Sequence, residues 1–194
     1  MTCSEKFTVR GMPVLGYTTR RHLILDLDNT TAGYVRVMAR RIMAEWPKVG
    51  DCLILCSSEK PDWVRLVYNK WGRPLIIHDR HNFHLIFDNG IGYTLSCRIC
   101  RVLAELGILN EDYVKIREFR GDMTTRVGPT LLYDEVKPPP RVVERVYNNY
   151  TTRRDGYIEL YLKMKKIGDL LLLTQSYAEA QANYGAHGTD RTGQ

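Results

Sequence analysis

The tightest limit on this chain is an apolar run that delivers two acids to one side. In HLILDLDNTTAG, His22 to Gly33, an extended backbone sends successive side chains to opposite faces. Leu23, Leu25 and Leu27 then share one face, which suits a packed core. Ile24, Asp26 and Asp28 share the other. Two neighbouring carboxylates aimed the same way repel each other unless positive charge lies between them. The run therefore reads as a half-buried strand whose acids meet either a cation or solvent at the strand end.

Similar runs return twice. DCLILCSS, Asp51 to Ser58, and NFHLIFDN, Asn82 to Asn89, are short, apolar and bounded by polar residues, as strands are. Between the first two runs, Val35, Met38, Ile42 and Trp46 recur at helical spacing. They predict a helix capped by Thr30 or Thr31 and ended by Pro47. Further strands are expected within residues 7–20 and at PLIIHD, residues 74–79. A second helix is expected from Ser96 to Leu106, with Ile99, Val102, Leu103 and Leu106 inward and Gly107 as its stop. YVKIREFRG and TTRVGPTLLYD read as two strands about a turn at Gly121-Asp122. Beyond Pro138–Pro140 the pattern predicts a helical tail, RVVERVYNNY and then the segment from Tyr157.

This order predicts an α+β fold: an RRM-like antiparallel or mixed sheet with helices packed on one face. The expected division is a catalytic domain over residues 1–137, a C-terminal helical extension over 138–185 and a disordered tail over 186–194.

The 194 residues are 44% hydrophobic, enough for a substantial core. Lys and Arg outnumber Asp and Glu by 28 to 22, giving a net charge of +6 and a pI near 9.1. That excess suits phosphates without specifying them. The N-terminus lacks the apolar core of a signal peptide, and no apolar run approaches the length of a membrane span. The odd set Cys3, Cys52, Cys56, Cys97 and Cys100 then predicts reduced thiols and a cytoplasmic location. Cys97 and Cys100 form a CxxC inside a helical pattern with no second pair, which reads as buried helix cysteines rather than a zinc site.

Three groups carry candidate chemistry. Asp26 and Asp28 are suited to Mg²⁺ or Mn²⁺, which take oxygen ligands and often combine one or two carboxylates with phosphate oxygens. His84 is the polar centre of an apolar strand; beside the acidic pair it would be a phosphate donor or a metal neighbour. Arg117, Arg120 and Arg126 suit bidentate phosphate contacts. Separately, Lys60, Arg65, Lys70 and Arg73 interleave with Trp63 and Trp71, a mixture that suits single-stranded nucleic acid.

The ordered set Asp26-Leu27-Asp28, Ser57-Ser58, Phe83-His84-Leu85-Ile86-Phe87 and Thr125-Arg126-Val127 resembles the archaeo-eukaryotic primase superfamily, and within it the small stand-alone members of archaea, plasmids and phages. The resemblance covers roughly residues 20–130. It departs from the pattern at Asn82, where a small hydroxyl residue is usual, and at Pro129-Thr130, where a lysine often follows. It implies a DNA primase or primase-polymerase that joins nucleoside triphosphates on a single-stranded DNA or RNA template, with a helicase or accessory subunit as a further partner. Asp26 and Asp28 would hold two divalent ions. A third carboxylate, Asp112 or else Asp122, would join them. His84, Ser57, Ser58, Arg120 and Arg126 would bind the nucleotide.

Other readings compete. LILDLDNTT also fits the first motif of haloacid-dehalogenase-type phosphatases, with Thr30 and Ser57 as further members, but no strand ending in an acidic pair follows to close a parallel sheet. A rolling-circle nicking initiator would need two histidines around one hydrophobe. His81 and His84 are one residue too far apart for that, although Tyr147 and Tyr150 could mimic its nucleophile. A non-catalytic single-strand-binding protein would use the Lys60–Arg73 segment alone.

Overall fold

The computed structural model describes residues 6–9, 12–57, 64–68, 72, 74–78, 81–128, 130–132, 135–137, 139–167 and 169–170. In chain order the elements are β1 (Lys6–Val9), β2 (Met12–Thr19), β3 (His22–Thr30), α1 (Ala32–Glu45), β4 (Cys52–Cys56), β5 (Val64–Tyr68), β6 (Pro74–His78) and β7 (His81–Gly90). Then come α2 (Tyr93–Glu105), α3 (Glu111–Arg120), β8 (Met123–Arg126), β9 (Thr130–Leu132), β10 (Glu135–Lys137), β11 (Arg141–Val146) and α4, residues 157–167. The fold is α+β, as the element pattern implies. Among the described residues no helix is long and apolar enough to cross a membrane.

The three apolar runs form the centre of a four-stranded sheet in the order β11-β4-β7-β3. Every neighbouring pair is antiparallel. Strand β7 therefore lies between β3 and β4, which run parallel to each other and are joined by α1, a split βαβ unit. Its register sets Leu25 and Ile54 on either side of Leu85, and Ile24 and Leu53 on either side of Ile86. All five residues of β4 are buried, so both faces of the sheet are covered rather than one. An antiparallel sheet is also at odds with the parallel sheet that the phosphatase reading requires. A second sheet, β1-β2-β8, and the hairpins β5-β6 and β9-β10 complete the described strands.

Helix α1 begins where its cap was expected. The Thr31 hydroxyl accepts from the Tyr34 N–H, and Val35, Met38, Ala39, Ile42 and Met43 turn inward. Thr31→Ala should cost about 1 kcal/mol, read as a fall in the denaturation midpoint. Cys97 and Cys100 are buried on α2, in keeping with their reading as core residues.

Two expected elements are corrected. Residues 111–120 form α3 and not a strand. Asn110 caps it by accepting from the Asp112 N–H, and Gly121 closes it in the left-handed region at φ 74°. The alternation of Val114 and Ile116 mimicked a strand, but the caps on either side decide the outcome. Residues 141–146 form β11 and not a helix. Val142, Val143 and Val146 fit helical spacing, but β-branched side chains favour strands, and the edge of β4 is there to pair with. The sheet thus takes in residues that the sequence reading placed in the extension.

Helix α4 is fastened back onto the sheet. The buried carboxylate of Asp88 accepts from the N–H groups of Gly156 and Ile158, and Tyr157 stacks on His22 with ring centroids 3.7 Å apart. Burial lowers the pKa of His22 from 6.5 to about 4, against the opposing pull of Asp155. The unfolded chain therefore binds the extra proton between those values. His22 contributes stability above pH 6.5 and loses it as pH falls towards 4. Urea unfolding should show that slope in the wild type, and His22→Gln should flatten it.

Candidate functional site

Strand register brings the first two candidates together. Asp26 and His84 are direct partners on β3 and β7, so both project from the same face. His84 Nε2 lies 3.4 Å from Asp26 Oδ1, and His84 Nδ1 lies 3.0 Å from Thr125 Oγ1 on β8. With its proton on Nε2, the ring donates towards Asp26 and accepts the Thr125 hydroxyl; when protonated it donates from both nitrogens. Thr125 thereby fixes the imidazole against the carboxylate. Asp26 is 38% exposed in its side chain and His84 14%, so the pair sits at the mouth of the sheet face rather than in its interior.

Asp28 follows two residues later on the same strand and is exposed. Just beyond it the ladder slips: Asn29 takes a positive φ of 52°, and its N–H is held by the Asn82 side chain. The bulge ends regular pairing at the acidic pair and leaves Asp28 facing solvent.

Helix α3 adds a cation that was expected on a strand. Arg117 is 6% exposed, and its guanidinium lies 4.0 Å from the centre of the Tyr113 ring. Its Nε and Nη1 have no hydrogen-bond partner among the described residues. Burial lowers its pKa to about 10, against the raising influence of neighbours that include Asp26 and Asp122, so it is charged at neutral pH. The helix is latched in place on both sides. Tyr113 donates to the Ile24 carbonyl, and Tyr93 of α2 donates to the Arg117 carbonyl. Both nitrogens are shut off from solvent, so their desolvation is offset by the Tyr113 ring and by nearby negative charge rather than by hydrogen bonds among the described residues.

The remaining candidates divide. Asp112 is in the first turn of α3, exposed, with Lys115 as its ion-pair partner. Asp122 follows α3 and accepts from the Thr124 hydroxyl. Ser57 is buried and spends its hydroxyl on the Asn82 carbonyl, extending the β4–β7 pairing. Arg120 is exposed at the end of α3. Arg126 ends β8, and its carbonyl accepts from Tyr161 of α4. His81 is buried near Phe83, away from His84. Ser58, Lys60, Trp63, Lys70, Trp71 and Arg73 lie outside the described residues, and so does the side chain of Arg65 on β5. Thr125 and Tyr113 were not assigned site roles by the sequence reading. The hydroxyl beside His84 comes from another sheet, on β8, which pairs with β2 and packs on β3, a long-range placement with no local signature.

Asp26 and Asp28 would supply carboxylate oxygens, the donor type that a hard divalent cation takes. Among the described residues no group of three or more His, Cys, Asp or Glu side chains gathers to enclose an ion. Mg²⁺ and Mn²⁺ accept such sites, with water and substrate phosphate as further ligands. Comparison with known protein families, curated proteins and solved structures finds no match.

Proposed function

We propose that the Asp26–His84 face carries out metal-dependent nucleotidyl transfer on a single-stranded nucleic-acid template, as a primase or primase-polymerase does. The observation that carries this reading is the registered pair: an exposed-edge carboxylate and a histidine locked by Thr125, with a buried arginine beside them. The likeness of the ordered motifs to the primase superfamily points the same way. Asp26 and Asp28 would hold Mg²⁺ or Mn²⁺, which supplies charge for the phosphate oxygens during attack by a 3′-hydroxyl. His84 donates a hydrogen bond towards the triphosphate, with Thr125 fixing its orientation. Arg117 would add its buried positive charge to this face. Asp112, or else Asp122, would be the third carboxylate.

The test is incorporation of labelled nucleotides on single-stranded DNA, with and without a primer, in Mg²⁺ and in Mn²⁺. Product that requires the metal and Asp26 supports the reading. A chain that binds template but makes no product under any of these conditions removes it. Arg117→Met gives a sharper check. An apolar side chain of similar length relieves a buried cation with unspent donors, so the melting temperature should hold or rise. Incorporation should nonetheless fall about 100-fold, through the loss of that positive charge. A variant that is both stable and fully active would show that Arg117 has no part in the site.

A further inference from the structure

On the far edge of the sheet from Asp26, a groove runs between α1 and the loop that leaves β11. It consists of two adjoining hollows of about 410 and 130 Å³ that share Arg40, Tyr147 and Asn149. Tyr147 and Tyr150 are 66% and 63% exposed, unusual for aromatic rings of this size. They are not loose. Asn148 between them is buried and uses its polar groups to fix the loop. Its side-chain amide donates to the Pro47 and Gly50 carbonyls, and its N–H donates to Asp51. Its side-chain oxygen accepts from the Tyr150 N–H, and its carbonyl accepts from Arg154. Two aromatic rings are thus held out in solvent by a backbone that is pinned beneath them.

The charges in the groove are unequal in availability. Arg36 is committed to Glu144 by a forked contact, with Nε to Oε1 at 2.7 Å and Nη2 to Oε2 at 2.6 Å. Arg145 is committed to Asp51 and Glu159, with its guanidinium 5.3 Å from the Tyr147 ring centre. Arg40 makes no ion pair among the described residues. Arg40 borders both hollows with the two exposed rings and feels Glu144 only through space; a cation beside displayed rings matches the phosphate and base of a single strand. A protein partner would want a continuous apolar centre, which Arg40 and Asn149 interrupt.

We infer that this groove binds single-stranded nucleic acid, with bases stacking on Tyr147 and Tyr150 and a phosphate on Arg40. The site is separate from the Asp26–His84 face and does not depend on its activity. The experiment measures anisotropy of a labelled oligo(dT) of about 20 nucleotides, and of oligo(U), with the full chain. Tyr147→Ala/Tyr150→Ala should weaken binding at least about tenfold, whereas Tyr147→Phe/Tyr150→Phe should stay within about twofold of wild type, since a phenyl ring still stacks. Arg40→Ala should weaken binding and lower the salt dependence by about one released counterion. All these side chains are at the surface, and matched melting temperatures confirm that the variants fold. The inference is overturned if the double alanine variant binds like wild type, or if duplex DNA competes as well as the single strand. Asp26→Asn/Asp28→Asn should bind the oligonucleotide undiminished. Tyrosine-dependent binding without incorporation removes the transfer reading alone, and incorporation with tyrosine-independent binding removes this one alone.

Discussion

Asp26→Asn is expected to cut nucleotide incorporation about a thousandfold while leaving the thermal midpoint within about 2 °C of wild type. The two halves of that expectation have separate causes. The side chain is 38% exposed and is not part of the hydrophobic core, so beyond its attraction to the buried Arg117 the fold has little invested in its charge. An asparagine carbonyl can still face His84 Nε2, which lies 3.4 Å from the carboxylate oxygen. Only the negative charge is lost, and that charge is what a divalent cation and the triphosphate require of the site. Asp28→Asn should behave alike, being exposed two residues further along β3. His84→Gln separates geometry from charge: it keeps a donor but loses the imidazole that Thr125 orients, and a smaller loss than in Asp26→Asn is expected. Incorporation by Asp26→Asn within about threefold of wild type would rule out a metal-bearing role for this carboxylate.

Asp51→Ala is expected to do the reverse, lowering stability by about 3 kcal/mol, or roughly 6–12 °C in a chain of this size. Asp51 is fully buried. It holds Arg145 at 3.1 Å, Arg154 at 2.8 Å and the Asn148 N–H at 2.9 Å. Removing it strands two guanidiniums and a buried N–H. The figure sits at the lower end for a broken buried pair, because both arginines are partly exposed and Arg145 keeps Glu159. Asp51→Asn, which retains an acceptor for the N–H, should lose less. Chemical denaturation with the midpoint and slope fitted together decides the matter: an unchanged midpoint would mean that the arginines stabilise the loop without it. The same substitution should loosen Asn148 and hence the display of Tyr147 and Tyr150.

The contrast between these two aspartates was only half legible in the sequence. Asp26 declared itself because it interrupts an apolar alternation on the face of a strand. Its partner His84 did so for the same reason, and strand pairing then placed them side by side. Asp51 sits at the start of a strand where any polar residue passes for a boundary. Its two arginines lie about a hundred residues away, and one of them is on a segment whose valines satisfied helical spacing as well as a strand. Arg117 shows the opposite failure. Its presence in a basic stretch was evident, but a two-residue alternation in Val114 and Ile116 suggested a strand that would have pointed it outward. Asn110 before the segment and Gly121 after it were the signals for a helix, and a helix is what buries it. Long-range pairing, which has no local signature, accounts for what could not be read.

The central placement of β7 has a consequence for how the chain comes into being. During synthesis β3, α1 and β4 emerge before β7, and neither strand has a neighbour in this sheet to bond with until residues 57–80 and then β7 itself have been made. For that interval of a few seconds the nascent chain carries two apolar strands with open edges. The last strand to join, β11, closes the sheet only after residue 146. Pairing in this sheet therefore waits for β7, an inner strand made third of the four, and non-local closure of this kind makes for slow folding.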